Sequence, residues 1–307
     1  MVLYSSFYNN NIQIDTVKSF IYEGEEYSFD VARFDLIDPL ISGNKLFKLY
    51  YQLLNVQTQK KKGILTMGGA YSNHLLATAA LCEEQQISSI AIIRGEESKD
   101  LSVTLRDCRE KGMKLIFVSR ESYRKTDTEV RDIIAQYPDY LFVPAGGDNE
   151  DGEKGAALMP DRIPQWASYT TIFCGAGTGT TVRGIGQKLL PHQRLWIMPA
   201  VKIQQADQAH YLNSCLQKDQ SQSINISIHF DAAGKGFAKK EKELFYLMNE
   251  FYRQTRIPTD YVYTAKTLRG LLQITRNQPK PKKENILMLH TGGIQGNRSL
   301  KEKTLVF

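Results

Sequence analysis

Two lysines stand in an apolar setting at Gly43-Asn44-Lys45-Leu46-Phe47-Lys48-Leu49. An ammonium flanked by leucine and phenylalanine is partly desolvated, which lowers its pKa and makes the amine usable as nucleophile and base. Taken alone, the same pattern is that of an ordinary helix lysine facing water. Gly68-Gly69-Ala70-Tyr71-Ser72-Asn73-His74 lines up a hydroxyl, an amide and an imidazole between an apolar run and an amphipathic one. Ser72 or Asn73 there suits a plain helix N-cap equally well. Gly175-Ala176-Gly177-Thr178-Gly179-Thr180-Thr181 follows the apolar run Thr171-Ile172-Phe173-Cys174. Such a loop lets backbone N–H groups converge on an anion at the start of the next helix, with threonine hydroxyls as further donors. It is not a Walker A loop, because no Gly-Lys-Ser/Thr follows. Its GxGxG spacing, and the lack of a ribose-binding acid in the next strand at 195–198, argue against a dinucleotide fingerprint. A glycine turn needed only for tight packing is the plainer alternative. Finally, Leu289-His290-Thr291-Gly292-Gly293 puts a hydroxyl at the end of an apolar run, beside a histidine that also reads as a buried structural group.

These segments need elements to hold them. From Gly63 onward short apolar runs alternate with amphipathic stretches. The pattern predicts strands over 64–67, 90–93, 114–118 and 140–143, with helices over 73–84, 101–111 and 127–136 between them. It resumes after Gly146-Gly147 with helices over 152–159, 180–190, 207–217, 239–255 and 266–275. The strands of that half fall at 169–174, 195–198, 224–230 and 286–289. Leu244, Leu247, Met248 and Phe251 fall on one helix face. Strands alternating with helices mean βαβ units and parallel sheets. Ligands in such sheets bind at the carboxyl ends of the strands, and the glycine-rich turns after 64–67, 140–143, 169–174 and 286–289 each follow one. The expectation is an α/β protein of two open, mainly parallel twisted-sheet domains flanked by helices.

Composition excludes other classes. The 307 residues carry 39 basic and 33 acidic side chains, a mild net charge of +6. The basic clusters Lys60-Lys61-Lys62 and Lys280-Pro281-Lys282-Lys283 lie beside breakers and read as solvated loops, with no nucleic-acid-binding motif. The five histidines and four cysteines show no HExxH, CxxC or other metal spacing, so no metal is expected. No basic-then-apolar leader and no apolar run near about 18 residues is visible, so no membrane association is expected. Unpaired thiols without a leader lead us to expect a cytoplasmic protein.

Together the segments resemble one family. GNKxxKL, GGAYSNH, the glycine–threonine loop, Val262-Tyr263-Thr264-Ala265-Lys266 and LHTGG occur in an order similar to that of pyridoxal-phosphate enzymes of the tryptophan-synthase β-like fold, fold type II. Within them the chain looks like the 1-aminocyclopropane-1-carboxylate deaminase and D-cysteine desulfhydrase group, from about Ala32 to about Gly296. The resemblance implies a large cofactor-binding domain, residues 1–49 and 144–307, a small domain, 50–143, and a homodimer. Lys45 matches the lysine that forms a Schiff base with the cofactor. Asn73 matches the asparagine on its phenolic oxygen. Ser72 matches the serine that contacts the substrate carboxylate or helps in proton transfer, and Tyr263 an active-site tyrosine. Gly175, Ala176, Gly177, Thr178, Gly179 and Thr180 match the phosphate loop. Asn44, Tyr71 and His74 are expected beside the small amino-acid substrate with Ser72 and Asn73. Lys48 matches a second lysine of the pattern.

The resemblance also distinguishes two reactions. The deaminases carry a glutamate after the matched tyrosine, where this chain has Thr264, and a leucine where it has Thr291. Desulfhydrases carry threonine at the latter position. A hydroxyl holds a proton on the pyridine nitrogen less firmly than a carboxylate does, leaving a weaker electron sink. That suffices to eliminate a good leaving group such as thiolate and helps less with a carbon–carbon bond. Either threonine could face the nitrogen. The expected activity is α,β-elimination from D-cysteine to pyruvate, ammonia and sulfide. The alternatives are ring opening of 1-aminocyclopropane-1-carboxylate to 2-oxobutanoate and ammonia, or cofactor binding without turnover. The last is raised by Phe237, where relatives often have tyrosine, and by Ala145, where the usual PEGG segment has glutamate.

Overall fold

The computed structural model describes residues 11–41, 43–125, 128–216, 225–277 and 285–307. Ser42, Asp127, the 217 and 224 ends of two expected elements, the start of the N-terminus and the Lys280 to Lys283 cluster lie outside them.

In chain order the elements are β1 (Ile14–Tyr22), β2 (Glu25–Arg33), α1 (Asn44–Thr58), β3 (Gly63–Gly68), α2 (Asn73–Glu84), β4 (Ser88–Arg94), α3 (Val103–Glu110) and β5 (Lys114–Val118). Then come α4 (Arg120–Lys125), α5 (Thr128–Ala135), β6 (Tyr140–Val143), α6 (Glu150–Ala156), β7 (Thr171–Ala176), α7 (Thr180–Gly186) and β8 (Arg194–Pro199). The last are α8 (Gln208–Cys215), β9 (Ile226–Ile228), α9 (Lys242–Thr255), α10 (Thr264–Asn277) and β10 (Ile286–His290). Cα packing divides the chain into two compact units, residues 45–155 and residues 1–44 with 156–307.

The 45–155 unit holds a four-stranded parallel sheet in the order β5-β4-β3-β6. All six residues of β3 are buried, as expected of a central strand covered on both faces. Leu75, Leu76 and Ala79 of α2 pack with Leu105 and Cys108 of α3 against one face. Val130, Ile133 and Ile134 of α5 pack against the other.

The larger unit holds a six-stranded sheet in the order β1-β2-β10-β7-β8-β9, antiparallel only between β1 and β2. Its core joins Phe20, Phe29, Phe173, Met198, Phe251, Leu268 and Met288. Phe20 meets Phe251 edge-on at a centroid distance of 5.1 Å. The expected apolar face of α9 is buried there and in the neighbouring cluster around Ala265.

Two features depart from the sequence expectations. The β1–β2 hairpin was not anticipated; its two-residue turn, Glu23-Gly24, has φ of 50° and 80°, the mirror-type geometry that suits the strand twist. Helix α7 stops at Gly186 rather than running to 190, because Gly184 and Gly186 weaken it and Pro191 cannot extend it.

Candidate active site

In the 45–155 unit the junction between β3 and α2 carries four of the expected residues. Ser72 is the N-cap of α2, its Oγ accepting the Leu75 N–H at 3.3 Å. Asn73 opens the helix; its Oδ1 is buried and has no hydrogen-bond partner among the described residues. Tyr71 is 56% exposed, outside the buried part of the junction. His74 is buried, with Nε2 3.0 Å from Thr66 Oγ1. The Thr66 hydroxyl donates to the Val143 carbonyl at 2.8 Å, so it must accept from His74, which fixes the proton on Nε2. His74 Nδ1 is then a bare acceptor, buried and without a partner. Burial first, then the charges of Lys45 and Lys48, push the His74 pKa down to about 3, so the ring stays neutral. His74 therefore feels the cationic Lys45 and Lys48 directly. Lys45 lies in the first turn of α1 and is half-buried. Lys48, one turn on, is buried and donates to the Gly146 carbonyl at 3.0 Å. The segment Ala145-Gly146-Gly147, where a glutamate was expected, thus serves as an anchor for Lys48.

In the larger unit the Gly175 to Thr180 loop leaves the end of β7. Gly179 is the N-cap of α7 at φ 89° and offers no side-chain cap. Thr178 and Thr180 hydroxyls lie 2.8 Å apart. A Cβ at Gly177 would stand 3.3 Å from the Tyr263 ring and hydroxyl, so a side chain there would press on Tyr263. Burial, then Asp260, raises the Tyr263 pKa, which keeps its phenol protonated. Phe237 packs edge-on against Tyr263 at 6.2 Å. Tyr211 donates to the Gly177 carbonyl at 3.2 Å.

The start of α1 is fastened to this loop. Asn44 donates from Nδ2 to Thr181 Oγ1 at 2.7 Å and from its backbone to the Thr291 carbonyl at 3.2 Å. Gly43 has φ 71°, and any Cβ there would overlap that same carbonyl. Asn44, expected beside the substrate, is a latch here.

The two threonines differ in what their hydroxyls do. Thr264 is fully buried and donates to Asp260 Oδ1 at 2.8 Å while accepting the Asp260 N–H at 2.7 Å. Asp260 also accepts the N–H groups of Val262, Tyr263 and Thr264, capping α10. The Thr291 hydroxyl makes no hydrogen bond among the described residues. His290 is fully buried, donating from Nε2 to the Pro258 carbonyl at 2.7 Å, with Nδ1 3.1 Å from Asp35. It is a structural histidine. Asp260, Thr66, Tyr211 and Lys266 were not singled out from sequence, although Lys266 stands inside a motif that was. Among the described residues no three His, Cys, Asp or Glu side chains could hold a metal.

The residues present suit a phosphorylated aromatic aldehyde. The 45–155 unit offers the Lys45 amine and a buried Asn73 Oδ1 with no hydrogen-bond partner among the described residues, and the larger unit by itself offers a glycine–threonine loop of backbone and hydroxyl donors for a phosphate. Comparison with known proteins agrees. A Thermotoga maritima protein that bears the name 1-aminocyclopropane-1-carboxylate deaminase is 28% identical over 89% of this chain and 91% of its own length. An Arabidopsis thaliana protein named bifunctional D-cysteine desulfhydrase/1-aminocyclopropane-1-carboxylate deaminase, mitochondrial, is 25% identical over 87% of this chain and 72% of its own. A crystal structure of an ACC deaminase homologue superposes with a TM-score of 0.75 at 20% identity, covering 94% of this chain and 90% of that one, and shares the fold. The sequence pattern of one family, described as pyridoxal-phosphate dependent enzyme, matches residues 34–292, and this chain belongs to that family.

Proposed function

We propose that this enzyme cleaves a carbon–sulfur bond in a small amino acid, D-cysteine first among them, giving pyruvate, ammonia and sulfide. Lys45 would hold the cofactor's aldehyde carbon, Asn73 its phenolic oxygen, the 175–180 loop its phosphate, and Thr291 its ring nitrogen. When bound, pyridoxal phosphate withdraws electrons from the substrate's α carbon. With the cofactor and substrate bound, the Lys45 amine would take the α proton. The Ser72 hydroxyl, whose oxygen already accepts a helix N–H, donates to the substrate carboxylate. The sulfur would leave as thiolate with the electron pair of the β carbon–sulfur bond, and the Tyr263 phenol, kept protonated by burial, would donate a hydrogen bond to it. Water then completes the balance to pyruvate and ammonia.

The observation that carries this reading is the pair of threonines. No carboxylate stands at position 264, and the hydroxyl there is engaged by Asp260, which leaves Thr291 to meet the ring nitrogen. A hydroxyl there favours expulsion of thiolate over cleavage of a carbon–carbon bond. The names borne by the relatives include both activities, so ring opening of 1-aminocyclopropane-1-carboxylate is the second reading. Absorbance spectra of wild type and Lys45→Ala before and after D-cysteine, with sulfide and pyruvate assays, test both. A band lost in the variant and release of both products by wild type is the expected result. A band with 2-oxobutanoate from the cyclopropane substrate, and no sulfide from D-cysteine, would reverse the order of the two readings.

A further inference from the structure

Lys266 is fully buried, yet it lies outside the chemistry described above. Its ammonium donates to the Ala200 carbonyl and to the Gly236 carbonyl, each at 2.7 Å. The first of these acceptors belongs to a segment that touches the glycine–threonine loop, and the second to one that reaches it through Tyr263. The Ala200 N–H donates to the Ala176 carbonyl at 2.8 Å, inside the loop. Gly236 precedes Phe237, which packs on Tyr263, and Tyr263 lies against Gly177. Thr267, the residue after Lys266, has its hydroxyl 2.8 Å from where a Cβ on Gly175 would stand. One ammonium therefore braces the loop through two routes.

Its charge has no ion-pair partner among the described residues. Arg269, Glu241 and Asp260 are the charged groups that act on it. Glu241 is committed to Arg269 at 2.9 Å and to the Lys235 N–H at 3.0 Å. Asp260 is committed to the first N–H groups of α10 and to Thr264. A buried cation whose acceptors are neutral carbonyls is costly unless a counter-ion comes close. We infer that Lys266 is a positioning residue for the cofactor, supplying behind the carbonyls that hold the 175–180 loop the positive charge that a bound phosphate neutralises. The inference rests on that loop being the phosphate site. Burial first, then Arg269, pushes the Lys266 pKa down to about 8, the mark of a cation without a partner.

The test compares the affinities of the full chain, stripped of cofactor, for pyridoxal phosphate and for pyridoxal, which lacks the phosphate. Wild type, Lys266→Gln, Lys266→Met and Thr180→Val are measured, each with its fold checked by circular dichroism. Glutamine keeps two N–H donors for Ala200 and Gly236 and loses the charge, so it carries the test even where methionine fails to fold. The expected result is about a tenfold loss of pyridoxal phosphate affinity in Lys266→Gln with pyridoxal affinity changed less than about twofold. An unchanged preference for the phosphorylated form in Lys266→Gln overturns the inference, whether both affinities fall together or neither moves. Thr180→Val separates the two levels: a preference it lowers upholds the loop as the phosphate site, and a preference it leaves intact removes that reading and this inference with it.

Discussion

Two strand–glycine–helix junctions, one in each unit, solve the same local problem in opposite ways. After β3, the first turn of α2 is closed by side chains: Ser72 accepts the Leu75 N–H, and His74 is tied through Thr66 to the Val143 carbonyl. After β7, the first turn of α7 is capped by Gly179, which has no side chain to give, and Gly177 puts none against Tyr263. A capped helix start is rigid and presents its side chains; an uncapped one presents its backbone donors. The first arrangement suits groups that must be aimed, such as Ser72 and Asn73. The second suits a ligand that brings its own negative charge.

The contrast can be broken from several sides. Lys45→Ala, which removes the amine proposed to hold the cofactor, should cut turnover by at least about a thousandfold. Sulfide and pyruvate release measure it, and the visible absorbance band should vanish with it. Gly177→Val forces a side chain against Tyr263 and should weaken pyridoxal phosphate binding about a hundredfold. A fluorescence titration that found wild-type affinity would contradict this role of Gly177. Thr66→Val leaves the His74 Nε2–H and the Val143 carbonyl without partners and should cost about 2–4 kcal/mol in urea unfolding.

The same histidine gives a pH signature. Its folded pKa, about 3, lies below the ordinary value of 6.5, so the unfolded chain binds a proton that the folded chain refuses. Stability should therefore be intact above about pH 6.5 and fall as pH drops toward 3, by up to about 1.4 kcal/mol per unit from this group. His74→Gln should flatten that slope, and an identical slope in the variant would assign the acid sensitivity elsewhere. The smallest effect belongs to Ser72→Ala, about 1 kcal/mol from the lost cap. Its turnover should fall further than that loss explains if the hydroxyl has its proposed role on the substrate carboxylate.

The two junctions were legible to different depths. Helix 73–84 and strands 114–118 and 140–143 match the sequence pattern residue for residue, because breakers such as Gly68-Gly69, Gly112, Pro138 and Pro144 and the change of apolar spacing mark them off. The β1–β2 hairpin escaped because a register shift between Val17 and Phe20 breaks the alternation in β1, and because Val31, Ala32 and Arg33 are buried in succession at the end of β2. The types of the site residues were readable, but their partners were not. That the Thr264 hydroxyl is engaged by Asp260, while the Thr291 hydroxyl makes no hydrogen bond among the described residues, depends on the turn ahead of α10. Lys266 was equally opaque, since its acceptors lie 66 and 30 residues away and are carbonyls that every residue possesses.

The cysteines bear on how such a protein endures its own chemistry. All four are buried and none forms a disulfide. Burial pushes the thiols of Cys82 and Cys108 up to about 12, far from the thiolate form that reacts. Under the proposed activity on D-cysteine, with sulfide released, the chain would sit in a bath of reductants and thiol-exchange reagents. This fold has no crosslink for them to cut and keeps its own sulfur out of their reach.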